Sequence, residues 1–197
     1  MPTAAASAPL TIDSGTGLLS GARQVLSPHF DGRPAGSVPE LLVVHGISLP
    51  PGEFGGPWID RMFTGTLPAA AHPFFRELAS ARLSAHALIR RDGLIVQYVP
   101  FGERAWHAGV SQYRGRPQCN DFSIGIELEG TADTPYTDAQ YTQLAALAAA
   151  LLGAYESLSQ EHIVGHADVA PGRKSDPWPT FDWPRFRALL KTQLARS

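Results

Sequence analysis

The sequence predicts an α/β (α+β) fold, a single domain with a mixed central β-sheet flanked by helices. Three observations carry that prediction. Leu41-Leu42-Val43-Val44 is a continuous apolar run of strand length. Residues 86–90 and 94–99 are strand-like runs joined by an Asp92-Gly93 turn, and an alternating strand at 122–129 is followed by a long helical repeat. Strands and helices that alternate irregularly around a hairpin require a sheet that is neither wholly parallel nor wholly antiparallel.

Residues 1–16 are rich in small residues and have no periodic apolar face, so a disordered leader is expected there, ahead of a folded domain over 17–197. Pro39 and His45-Gly46 bound the first strand, which reads as buried on both faces with His45 at its carboxyl end. The segment 46–57 is too rich in Gly and Pro for a helix or central strand, yet too apolar for a solvated linker. This predicts a loop that covers the site and opens for substrate. In the strand at 122–129, Ile124, Ile126 and Leu128 fall on one face, and Gly125, Glu127 and Glu129 on the other, so two carboxylates share one side. Thr137-Asp138-Ala139-Gln140 has the capping-box form. Tyr141, Leu144, Leu147, Ala148, Leu151 and Leu152 recur behind it at helical spacing, which predicts a helix as far as Tyr155. Residues 163–166 read as a short strand, and Asp182 is placed to cap a final helix over 183–194.

Sixteen Lys and Arg against 18 Asp and Glu leave a formal charge of −2, and 17% of the 197 residues are charged against 44% apolar. Such a chain can build a core, but it offers no field to hold nucleic acid or an anionic membrane. No apolar run approaches the roughly 18 residues of a membrane span, and residues 1–13 lack the basic and apolar regions of a secretion signal. A cytoplasmic monomer is expected. The single cysteine, Cys119, excludes an internal disulfide and a cysteine-based zinc knot, and reads as a small buried residue. Nineteen glycines and 17 prolines point to long shaped loops, where sites tend to sit. Seven histidines, in a chain otherwise sparing with ionisable groups, show where to seek the chemistry.

His45 ends a buried strand at the rim of the sheet. His166 ends another apolar run and opens the segment 166–178, dense in Asp, Lys and Arg. Two neutral imidazoles and one carboxylate make a catalytic zinc set that leaves a position for water. His45, His166 and Asp176 supply those residue types, although their separations match no short local zinc motif. A lone histidine at a strand end also serves as an ordinary hydrogen-bonded structural residue, and spacing alone leaves both uses open. Glu127 poses the same choice. A glutamate on the less apolar face of a strand is commonly solvated, whereas one in a central strand must be paired, near a metal or protonated. Lys174 beside Arg173 fits a wet loop pair as well as a functional cation. Trp106, His107 and Tyr113 offer either an aromatic wall for a sugar or part of the core. His86 reads as structural, and His29, His72 and His162 have no partner pattern.

Four segments together resemble the bacterial zinc-dependent N-acetylmuramoyl-L-alanine amidases. They are LLVVHGISLPPGEFGGPWID at 41–60, SAHALIRRDGLIVQYVPFGERAWHAGVSQY at 84–113, CNDFSIGIELEGT at 119–131 and GHADVAPGRKSDPWPTFDWPRF at 165–186. The likeness is greatest to the cytoplasmic members that act on 1,6-anhydro-muramyl peptides in peptidoglycan recycling. The resemblance implies Zn²⁺ held by His45, His166 and Asp176, with Glu127 as the acid/base and Lys174 as the cation near the developing oxyanion. Arg82 and Trp106 would contact the peptide and the sugar. Glu129 is the rival acid/base, but it lies nearer the turn at Gly130-Thr131. In such a site zinc lowers the pKa of water from about 16 toward 7 and polarises the scissile carbonyl. The bond cut would join the lactyl carbonyl of the anhydro sugar to the amino group of L-alanine in a small muropeptide.

Two positions depart from the family pattern. Gly46 stands where members usually carry Asn, removing an amide that would hold substrate. Gln118 stands where they tend to carry a basic residue, which would lose a charge-assisted bond of about 1 to 3 kcal/mol. Both bear on substrate preference and leave the proposed reaction type untouched. Two rival readings remain, an envelope amidase acting on polymeric wall and a non-catalytic peptidoglycan-binding module. The lack of a secretion signal speaks against the first, and the complete ligand set with Glu127 against the second. Asp176 also fits bacterial amidases better than animal recognition proteins, whose catalytic members use Cys there.

Overall fold

The computed structural model describes residues 10–196. The first half holds β1 (Arg23–Gln24), β2 (Phe30–Asp31), β3 (Leu41–Ile47), α1 (Trp58–Phe63), α2 (Phe75–Leu78), β4 (Ala87–Ile89) and β5 (Ile95–Gln97). The second holds β6 (Arg104–Ala105), β7 (Gln112–Tyr113), β8 (Arg116–Pro117), β9 (Ser123–Glu129), α3 (Asp138–Ala154), β10 (Ile163–Gly165), α4 (His166–Val169) and α5 (Trp183–Leu194). Six strands form the central sheet in the order β1-β5-β4-β9-β3-β10, and β2 with β6 and β7 with β8 make two small ladders. All neighbours in the central sheet are parallel except β4 and β5, the two arms of the Asp92-Gly93 hairpin.

Side-chain alternation divides the sheet into two unlike faces. Leu42, Val44, Ile124, Ile126 and Leu128 pack against Leu144, Leu147 and Leu151 of α3 and Phe186 and Leu190 of α5. Burying each such side chain contributes about 1.5–3 kcal/mol. The capping box at α3 forms, with Gln140 N–H donating to Thr137 Oγ1 at 3.2 Å and Thr137 N–H donating to Gln140 Oε1 at 3.0 Å. Asp182 opens α5 by accepting from Arg185 N–H at 2.9 Å. On the other face Leu88 and Val96 meet Ile59, Met62, Phe63 and Phe75, while Leu41 and Val43 meet Ala108, Cys119, Phe122 and Val169. His45 and Glu127 continue the odd-numbered rows of β3 and β9, and so lie on this second face. Short helices and loops cover it.

Two details differ from the sequence expectation, and a third decides between readings it left open. Residues 1–9 of the expected leader lie outside the described residues, but its remainder is ordered. Leu10 and Ile12 pack on the main core, Ile12 bridges Leu19, and Asp13 Oδ1 accepts from the N–H groups of Gly15 and Thr16 at 3.1 and 2.7 Å. Two apolar residues and an aspartate turn suffice to hold a segment too short to show periodicity. β3 runs two residues past His45 because β9 pairs with it as far as Glu129. All seven residues of β9 are buried, so the face carrying Glu127 and Glu129 is not solvated. Among the described residues no helix is long and apolar enough to cross a membrane.

Candidate metal and catalytic site

Val44 of β3 lies opposite Gly165 of β10 in a parallel pair, so the next residues, His45 and His166, reach the same end of the sheet. His45 Nδ1 and His166 Nδ1 are 2.9 Å apart, and Asp176 Oδ2 lies 3.1 Å from the second and 3.5 Å from the first. One ligand atom from each of the three residues lies within 4.8 Å of the others, and all three residues are buried. The backbone carbonyl of Asp176 accepts from Ala167 N–H at 2.9 Å, which returns the end of the loop to the residue after His166. Burial pushes His45 down to about 4, outweighing the hydrogen bond with Asp176 that acts in the opposite sense. A neutral imidazole is the form that ligates metal. Two imidazole nitrogens and a carboxylate oxygen gathered at one point fit a cation.

Glu127 pairs with His45 across the strands. Its carboxylate is buried, and among the described residues its Oε2 has no hydrogen-bond partner. Burial and then the nearby Asp176 push the Glu127 carboxyl well up, while Lys174 pulls it the other way. Glu127, Lys174, Trp106 and Trp178 line one cleft of ≈ 400 Å³ with the three candidate ligands. Glu129 is occupied elsewhere. Its Oε1 accepts from Gly55 N–H at 2.8 Å and Arg90 at 3.3 Å, and its Oε2 from Arg91 N–H at 3.1 Å.

The remaining expected residues divide in two. Trp106 borders the cleft, and its Nε1–H donates to Asp31 Oδ1 at 3.0 Å. Asp31 is in turn gripped by Arg104 through bonds of 2.7 and 2.6 Å. Arg82 is exposed, with its guanidinium 5.4 Å from the centre of the Trp106 ring. Ile47, Ser48, Leu49 and Pro51 form one wall of the cleft. The far end of their loop is pinned, because Gly55 is held by Glu129 and the Gly56 carbonyl accepts from Arg90 at 3.0 Å.

Position 46 has a reason of its own to be glycine. A Cβ there would stand 2.3 Å from Trp178 Cζ3 and 2.3 Å from Tyr136 Oη, so these two rings occupy the space a side chain would need. Gln118 is exposed, at φ 60°, and borders a separate depression that shares Trp106 with the cleft. Tyr113 lies off the cleft, packing edge-on against His162 and on the core cluster of Leu41, Val43 and Phe122, so of the two uses open to it the second holds. His107 borders the cleft, but both its ring nitrogens are engaged by His45 and Ser123. Sequence reasoning missed this arrangement, and the available signal was Gly125. A Cβ there would lie 2.4 Å from His107 Cγ, and glycine inside a strand marks such close approaches.

The sequence profile of the N-acetylmuramoyl-L-alanine amidases matches residues 35–179. The chain belongs to this family. The match spans His45, Glu127, His166, Lys174 and Asp176 together. The chain is 65% identical over 177 residues to the 1,6-anhydro-N-acetylmuramyl-L-alanine amidase AmpD of Escherichia coli (strain K12), covering 90% of this chain and 96% of that one. A crystal structure of a selenomethionine derivative of AmpD superposes with TM-score 0.88 at 62% identity, covering 91% of this chain and 98% of that one. The Pseudomonas aeruginosa relative AmpDh3, solved in complex with an anhydromuramic pentapeptide, gives TM-score 0.57 at 30% identity over 77% of this chain and 59% of that one.

Proposed function

We propose that this amidase is a zinc enzyme that hydrolyses the bond between the lactyl group of 1,6-anhydro-N-acetylmuramic acid and L-alanine in recycled peptidoglycan fragments, releasing the stem peptide. The observation that carries the reading is the meeting, in one cleft, of three convergent ligand atoms with the unpartnered Oε2 of Glu127. The relatives supply the substrate class, since the Escherichia coli protein is named for 1,6-anhydro-N-acetylmuramyl-L-alanine and AmpDh3 was solved with an anhydromuramic peptide.

His45, His166 and Asp176 would hold the ion, a ligand set of the kind found in zinc hydrolases. Zinc bound there supplies a Lewis acid for the carbonyl and a water of lowered pKa. Glu127 takes the proton from the attacking water and returns it to the leaving amine. The burial that raises its carboxyl favours its keeping a proton between taking it from water and passing it on. Lys174 stabilises the oxyanion, and loss of one such preorganised donor typically costs about 3 to 4 kcal/mol. Trp106, oriented by Asp31 and flanked by Arg82 and His29, borders the cleft where the sugar would lie. We read the enzyme as a cytoplasmic monomer working on a small muropeptide.

Incubation with an anhydro-muramyl peptide tests the reading. Mass spectrometry should find free peptide with an N-terminal alanine. Only intact substrate, bound but uncut, would move the protein to the class of peptidoglycan-binding modules.

A further inference from the structure

Both imidazoles of the ligand set turn Nδ1 toward the site, so the group behind each Nε2 decides whether Nδ1 presents a lone pair or a proton. Behind His166 is the Ala108 carbonyl, 3.3 Å from Nε2. A carbonyl only accepts, which leaves His166 Nδ1 free to ligate. Behind His45 is another imidazole. His107 Nδ1 lies 2.9 Å from His45 Nε2, and His107 Nε2 lies 3.1 Å from Ser123 Oγ.

Consecutive residues thus back the two candidate ligands, and one side chain holds them both. Asn120 Oδ1 accepts from the backbone N–H groups of His107 and Ala108 at 3.1 and 2.8 Å. Gly125 makes room for the His107 ring, which a Cβ at that position would meet at 2.4 Å.

We propose that His107 is a positioning residue for the metal site. Its Nδ1 accepts from His45 Nε2–H, which holds His45 in the tautomer whose Nδ1 lone pair faces the ion. Ser123 Oγ accepts the His107 Nε2–H and fixes that ring in turn. The role is specific to a hydrogen-bond acceptor at the His107 Nδ1 position, and it does not require the substrate. It rests on the metal reading above.

The test compares His107→Leu, which keeps bulk without an acceptor, with His107→Asn, whose Oδ1 falls near the place of Nδ1. Zinc affinity is measured by competition with a chromophoric chelator, and thermal unfolding of the stripped proteins checks that each is folded. His107→Leu should bind zinc about 10–100-fold more weakly, and His107→Asn within about threefold of wild type. In zinc-loaded wild type, ¹⁵N NMR should find His107 unprotonated at Nδ1 and protonated at Nε2. If His107→Leu does not fold, Ser123→Ala takes its place, with zinc binding about threefold or more weaker. Unchanged affinity in the Leu variant, or in Ser123→Ala where that stands in, overturns the proposal. So do an equal loss in the Leu and Asn variants, or a proton on His107 Nδ1. A wild type that binds no zinc overturns the metal reading along with it.

Discussion

His45 and Glu127 are direct partners across the two central parallel strands, β3 and β9. The ladder sets a candidate ligand beside a candidate proton carrier without a hydrogen bond between their side chains. A slip of one residue would turn either of them into the α3 core. Because backbone register fixes the pair, each member can be altered separately.

Glu127→Gln should keep its zinc at wild-type stoichiometry and lose turnover by about 10²–10⁴-fold. Metal analysis and steady-state kinetics on one preparation check both halves. Wild-type rates would remove Glu127 as the acid/base. Glu129 is a poor substitute while Arg90, Gly55 and Arg91 hold its oxygens.

Glu129→Ala should act on stability. The substitution leaves the Arg90 guanidinium, itself buried, without one carboxylate partner, and frees the N–H groups of Gly55 and Arg91. Breaking a buried pair outright costs about 3 to 5 kcal/mol, and because Arg90 keeps Asp60 at 3.2 Å the loss should fall below that range, which urea unfolding should record. Zinc stoichiometry should stay unchanged.

Gly46→Ala forces a methyl group against Trp178 and Tyr136, both tied into the wall behind Asp176, with Tyr136 O–H donating to the Pro177 carbonyl at 3.1 Å. Overpacking of this kind costs about 1 to 3 kcal/mol. A midpoint in urea equal to that of wild type would show that the two rings give way freely.

His86 makes folding sensitive to acid. Its Nδ1 accepts from Gly125 N–H at 3.0 Å, and its Nε2 faces the Glu103 carbonyl at 3.1 Å. Burial, and then the Arg33 guanidinium, push it from 6.5 down to about 3. Between those values the unfolded chain takes up a proton that the folded chain refuses. Its contribution is therefore fully present above pH 6.5 and is lost as pH falls, by up to about 1.4 kcal/mol per pH unit. His86→Gln should unfold more easily at neutral pH but show a shallower acid slope, by about one proton. Parallel slopes for the two proteins would contradict this.

Much of this architecture is legible in the sequence because it is local. The apolar run of β3, the Asp92-Gly93 turn, the alternation of β9 and the Thr137-Gln140 capping box each declare themselves within a few residues. The residue types at His45, His166, Asp176 and Glu127 are readable too, and parallel pairing of three strands explains how distant positions meet. Contacts that depend on shape across the fold are not legible in this way. Nothing near Gly46 announces Trp178 and Tyr136, nothing near His107 announces His45, and two apolar residues at 10 and 12 are too few to show a packed face.

His45, His166 and Asp176 are proposed to hold one functional zinc. Elemental analysis of the dialysed protein tests it most directly, with activity on the anhydro-muramyl peptide measured on the same sample. Wild type should carry about one zinc per chain, and His166→Ala should lose both metal and activity. A wild-type preparation free of metal and fully active would contradict it.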